Sequence, residues 1–232
     1  MIKTIKALVV AAVFATMATV QATSMIQANL GLIVQYTERG FTGTAVSMTT
    51  VQTPQGWADE VTFKVTDPII GNINVGDTVK WFQARVSEGA PIPGMPNYET
   101  DGEYTIFLTA KAPGSQFQAP YTLGQGTFRV HRDSETGAAF ARNEFQNAAL
   151  FNDMDTEALA VAIVDADPTT KAAQRDTKVK ATNIKLTSLR AGAIDLGSLK
   201  SAAKALKASG AAQTKFAKKG GASNSTKVTV QP

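Results

Sequence analysis

The chain has 232 residues, 44% hydrophobic, 18% charged and 7% aromatic, with no cysteine, one histidine (His131) and a formal charge of +4. This composition excludes a collagen-like chain, a multi-pass membrane protein and any thiol chemistry, and it leaves no material for a histidine-built metal centre. What remains is a small β-rich globular domain with attached extras.

The N-terminus, Met1-Ile2-Lys3-Thr4-Ile5-Lys6, is followed by a largely apolar run from Ala7 to Val20. A cationic head, an apolar stretch and small residues after it form the pattern of a secretory signal peptide over residues 1–22. Cleavage after Ala22 fits the small-residue rule, and so does cleavage after Ala28. The run is shorter than the roughly 20 apolar residues a membrane span takes. No cysteine follows it, so no lipid anchor is expected. The sequence therefore predicts an exported protein, secreted, periplasmic or on the cell surface, without a transmembrane span. Without disulfides, its fold must rest on its own core.

The next elements are expected in this order. Residues 27–38 place Leu30, Ile33, Val34 and Thr37 on one helical face, with Gly40 as a stop. Strand-like runs follow at Phe41 to Thr53, Glu60 to Thr66, Thr78 to Val86, Glu103 to Thr109, Thr127 to Arg132 and Ala138 to Arg142. Gly, Pro and Asp separate them. Tyr104, Ile106 and Leu108 alternate with Phe107, so that strand carries large apolar groups on both faces. Five or six short strands predict a mainly β fold, a small OB-like barrel over residues 23–151. Beyond Phe151, Asp155 caps a helix over 156–166, which Pro168 stops. Residues 169–193 are rich in Thr, Ala and Lys with thin apolar patterning. Asp195 to Ser209 makes a helix with Leu196, Leu199, Ala203 and Leu206 on one stripe and Gly210 as a stop. Lys200, Lys204 and Lys207 fall beside that stripe. Residues 152–209 are thus a helical extension, and 210–232 a flexible, partly disordered basic tail ending in the strand-like Val228-Thr229-Val230.

The strand motifs resemble an uncharacterised class of exported bacterial β-barrel domains with an OB-fold or netrin-like strand pattern. The specific motifs are Gly102-Glu103-Tyr104-Thr105-Ile106-Phe107-Leu108 and Gly124-Gln125-Gly126-Thr127-Phe128-Arg129-Val130. The similarity covers about residues 29–151. It implies a barrel and an exported compartment, and no reaction.

Charge divides the chain. Residues 23–170 carry 8 Lys+Arg against 17 Asp+Glu, a net of −9, and residues 171–232 carry 13 against 2, a net of +11. Such a basic end either lies solvated, folds on its own acidic body or binds a polyanion. For an exported protein the polyanion is an acidic polysaccharide or another envelope polyanion, with nucleic acid only as a nonspecific extracellular one. Candidate binding residues are Lys200, Lys204, Lys207, Lys218 and Lys219 on the basic end. On the body they are Trp57, in a loop-like stretch, and Pro93, Met95 and Tyr98, in a stretch stiffened by three prolines. Trp81, Phe82 and Tyr121 join Trp57 and Tyr98 as stacking candidates for sugars or bases. Self-assembly by addition of the C-terminal strand to an exposed edge is the alternative.

No catalytic constellation, metal site or cofactor motif emerges. His131 is the only candidate general base for a hydrolase. Ser201 and Lys204 match a Ser-x-x-Lys signature, but its companion motifs are missing. Asp153, Asp155 and Glu157 begin like a calcium loop, yet Ala158 and Val164 occupy the positions that need Gly and Glu.

Overall fold

The computed structural model describes residues 27–188 and 192–210. The expected signal peptide and the expected basic tail with Lys218, Lys219 and Val228–Val230 lie outside them.

Helix α1 is Leu30–Gln35, capped by the Asn29 side chain on the Leu32 amide. It is shorter than expected, and Gly40 lies inside the following strand, where a Cβ would stand 3.1 Å from the Phe107 ring. The strands are β1 (Thr37–Thr53), β2 (Gly56–Ile70), β3 (Thr78–Ser87), β4 (Ala90–Pro91), β5 (Glu103–Thr109), β6 (Thr127–Arg132), β7 (Ala139–Arg142) and β8 (Ile194–Asp195). Helices α2 (Thr156–Asp165), α3 (Arg175–Thr187) and α4 (Leu196–Ala208) complete the described chain.

The strands form one eight-stranded antiparallel sheet in the order β4-β3-β2-β1-β5-β6-β7-β8. This corrects the expected barrel and its strand count, because the sheet is open. Among the described residues the outer edge of β3 pairs with the two-residue β4 and with one isolated bridge, Phe82 with Phe117. A second bridge joins Leu108 to Pro120. The loop over residues 115–121 therefore spans from β5 to β3 with single hydrogen bonds, such as Gln118 N to Phe82 O at 2.9 Å, where a barrel would have a ladder. Register shifts at Gly40/Phe41, Thr42/Gly43 and Ala45/Ser47 mark irregularities that bend the long β1–β2 pair, as bulges do.

Each face of the sheet carries its own core. On one face Phe63 sits among Phe41, Trp81, Tyr98 and Tyr104, at ring separations of 6.0, 5.5, 5.1 and 5.9 Å. Edge-on contacts predominate, the arrangement ring quadrupoles favour. On the other face Phe107, Phe128, Val130 and Ala141 pack under Leu30 and Ile33 of α1, Leu159 of α2, Leu186 of α3, and Leu199 and Leu206 of α4. Strand β5 serves both cores: Tyr104, Ile106 and Leu108 point to the first and Phe107 to the second. The helical segment is thus part of the second core.

Two glycines sit where other atoms approach closely. A Cβ on Gly102 would stand 2.7 Å from the Tyr104 ring, and one on Gly126 would stand 2.9 Å from the Tyr121 amide nitrogen. Gly210, at φ 64°, follows the end of α4 as a left-handed stop.

Candidate functional site

The lysine-bearing side of the helices is the candidate site. Asp195 begins α4 by accepting from the Ser198 amide and hydroxyl at 2.8 and 2.7 Å. The helix buries Leu196, Leu199, Ala202, Ala203 and Leu206. At 100° per residue this turns Lys200, Lys204 and Lys207 to the flank, where Lys200 and Lys207 meet the rim of the sheet. The Lys200 ammonium pairs with Asp67 of β2. The Lys207 ammonium donates to the Thr37 carbonyl at 3.0 Å. Lys204 lies between them, exposed and without an ion pair among the described residues.

Helix α3 adds a second row. The thin patterning of residues 169–193 hid it: only Val179 and Leu186, seven apart, are buried. Two contacts join it to α2. Arg175 forks onto Asp165 at 2.7 and 2.9 Å. Lys178 reaches Asp167 at 3.3 Å. Asp165 and Asp167 are therefore engaged and not merely solvated. Asp167 also accepts from the Thr169 hydroxyl and amide, which hold its carboxyl well below the ordinary 3.8. The Arg175 hydrogen bond lowers Asp165 in the same direction. Between α2, α3 and α4 lies an open groove of about 620 Å³ lined by Ile163, Ala181 and Ala205 together with Lys178, Lys185 and Lys204. Lys171, Lys180, Lys185 and Lys204 make no ion pair among the described residues, so their charge is available to an outside anion.

The body candidates lie elsewhere. Trp57 is not in a loop: it is on β2 opposite Gln52, because the β1–β2 connection is the two-residue Pro54-Gln55 turn. Tyr98 is 5% exposed and packs in the aromatic core, its hydroxyl 3.3 Å from that of Thr127. Burial pushes its phenol far above the ordinary 10, against the lowering effect of Thr127. Gln83 donates to the Pro96 carbonyl at 2.9 Å, fastening the proline-rich loop over that core. Pro93 is exposed on this loop and Met95 half-buried. The loop belongs to the aromatic core's face of the sheet and the lysines to the helical side, so the two candidate sets are not brought together.

His131 lies exposed on β6, opposite Phe140. Desolvation first, and then Arg129 and Arg142, lower its pKa. Its ring makes no hydrogen bond among the described residues. Asp155 caps α2 by accepting from the Ala158 amide at 2.9 Å. Among the described residues no group of three His, Cys, Asp or Glu is placed to hold a metal, and no helix is long and apolar enough to cross a membrane.

No protein-family model, curated protein or solved structure matches this chain.

Sequence reasoning missed Lys178, Lys180 and Lys185, whose helix has almost no apolar stripe. It also missed Asp67, the partner of Lys200, which no local signal marks.

Proposed function

We propose that this is a non-enzymatic exported protein of the periplasm or cell surface. It acts by binding, and its basic C-terminal part attaches it electrostatically to polyanions, with acidic polysaccharide the favoured partner. One observation supports this: Lys171, Lys180, Lys185 and Lys204 make no ion pair among the described residues, in a chain whose residues 23–170 are strongly negative. An anion gains by displacing counterions from such a surface, and attachment of this kind weakens steeply with salt. The test is binding of the mature protein to polygalacturonate across a salt series. A variant with Lys180, Lys185 and Lys204 changed to Glu is compared with the parent. Binding should fall with salt and fall further in the variant. Salt-independent binding, or equal binding by both proteins, would overturn the attachment.

A second reading is a structural subunit that polymerises by adding its C-terminal strand to an edge. It is favoured by the outer edge of β1: the β5 ladder stops at Thr44, and Ser47 to Thr53 have no ladder partner on that side among the described residues. Sizing full-length protein beside one ending at Gly221 decides it, since identical monomers would end the idea.

A further inference from the structure

We infer that Tyr36 and Tyr121 form a stacking platform that, beside Lys207, receives one uronic-acid ring of an acidic polysaccharide. This rests on the polyanion reading above and names the residues that would distinguish a saccharide from other polyanions.

The two rings lie parallel, with centroids 5.0 Å apart and planes 10° apart. Tyr36 is 51% exposed, so its outer face is open to solvent. Most of the other aromatic rings are spent inside the cores: Phe41, Phe63, Trp81, Tyr98, Tyr104, Phe107 and Phe128 are buried. The platform is also fixed in place. Tyr36 closes α1, its amide donating to the Leu32 carbonyl at 3.3 Å. Tyr121 is pinned on both sides of its backbone: its amide donates to Phe107 O at 3.1 Å, and its carbonyl accepts from the Gly126 amide at 3.0 Å. A ring held this way loses little entropy when a ligand settles on it.

The charge beside the platform fits the chemistry. The Lys207 ammonium is held at the Thr37 carbonyl, one residue from Tyr36. A lysine ammonium has three donors, and this contact uses one. A pyranose offers a flat C–H face to an aromatic ring, and a uronic acid carries its carboxylate at the edge of that ring. A tyrosine stack and a lysine ammonium bound at the carbonyl of the residue after Tyr36 match both features in one sugar unit. Polyphosphate has no ring to stack and would use only the cations. Gly210, where the chain leads into the basic residues Lys215, Lys218 and Lys219, comes three residues after Lys207.

The experiment titrates full mature protein with three probes at low and high salt: a defined oligogalacturonate, polyphosphate of similar charge, and a single-stranded oligodeoxythymidylate. The proteins are the parent, Tyr36→Ala, Tyr36→Trp and Lys207→Gln. Tyr36→Ala should weaken oligogalacturonate about tenfold, the size of one stacking contact, at both salt levels. It should leave polyphosphate unchanged, and Tyr36→Trp should restore the parent affinity. Lys207→Gln should weaken both oligogalacturonate and polyphosphate and flatten their salt dependence. Unchanged oligogalacturonate binding by Tyr36→Ala overturns the platform while leaving electrostatic attachment standing. A Tyr36→Ala loss confined to the oligodeoxythymidylate overturns the saccharide assignment. Absence of binding to all three probes overturns both proposals together.

Discussion

The amide of Ala28 donates to the side-chain oxygen of Gln125 at 2.7 Å, across 97 residues of sequence and inside the second core. Ala28 itself is 4% exposed. The start of the described chain is thereby fastened to the Gly124-Gln125-Gly126 segment ahead of β6. Cleavage after Ala28 would discard this residue and its hydrogen bond. Cleavage after Ala22 keeps both. A protein beginning at Asn29 should therefore be less stable than one beginning at Thr23 by about 1–3 kcal/mol, the cost of a lost buried hydrogen bond. Urea melts of the two proteins check this, and equal midpoints would remove the constraint.

Arg85 forks onto Asp59, with both carboxylate oxygens 2.8 Å from one guanidinium nitrogen. The Asp59 side chain is only 2% exposed. Arg85 also donates to the Ser87 and Glu88 carbonyls and so shapes the β3–β4 turn. Removing one partner strands a buried charge. Arg85→Ala should destabilise by about 3–5 kcal/mol. Lysine lacks the planar fork, so Arg85→Lys should recover only part of the loss. Chemical denaturation of the pair gives the answer, and a change below the error of the measurement would show the contact to be dispensable.

The α2–α3 junction should loosen in acid. Asp165 and Asp167 both titrate below their ordinary 3.8 in the folded chain. A depressed folded pKa adds stability above the unfolded value and loses it as pH falls through the folded one. The denaturation midpoint should drop progressively below about pH 4. The drop should be smaller in an Asp165→Asn, Asp167→Asn double variant, which starts lower at neutral pH. Parallel pH profiles for both proteins would refute the assignment.

Truncation should separate the two ends of the basic region. Leu186, Leu199, Ala202 and Leu206 are all fully buried. A chain ending at Thr170 loses these side chains and should not fold. One ending at Gly210 keeps every buried residue described and should melt near the full-length temperature. Circular dichroism of the two proteins distinguishes them.

A Cβ on Gly126 would meet the Tyr121 amide nitrogen at 2.9 Å and its carbonyl oxygen at 3.0 Å. Both atoms are backbone, so neither can swing away. Gly126→Ala should cost about 1–3 kcal/mol by overpacking. It should also weaken the Tyr36–Tyr121 stack, which the near-ultraviolet tyrosine signal reports.

Much of the sheet was legible because its signals are local. The period-two alternation of Tyr104, Ile106 and Leu108 against Phe107 placed β5 between two cores, and the two cores are there. The leucine stripe of α4 and the Asp155 cap were readable from the same kind of short spacing. The barrel was not, because closure depends on whether distant edges pair, and here the isolated Phe82–Phe117 bridge stands in place of a ladder. Helix α3 was hidden because two buried residues in thirteen leave no stripe to see. Strands β4 and β8 are two residues each, too short to alternate. At the site, Lys200, Lys204 and Lys207 were placed on the correct flank by helical angle alone. That two of them are tied to Asp67 and Thr37 needed the fold. Nothing near Tyr36 in the sequence announces Tyr121 as its neighbour.

The first described helix and the last one pack together in the second core, Leu30 and Ile33 with Leu199 and Leu206. A polypeptide emerging N-terminus first cannot seal that core until nearly all of it has been synthesised. The apolar residues of α1 must wait, solvent-exposed, for partners that α4 supplies. Under the export proposed above, that delay would keep the nascent thread loose enough to pass a translocation channel and postpone tertiary collapse to the far side.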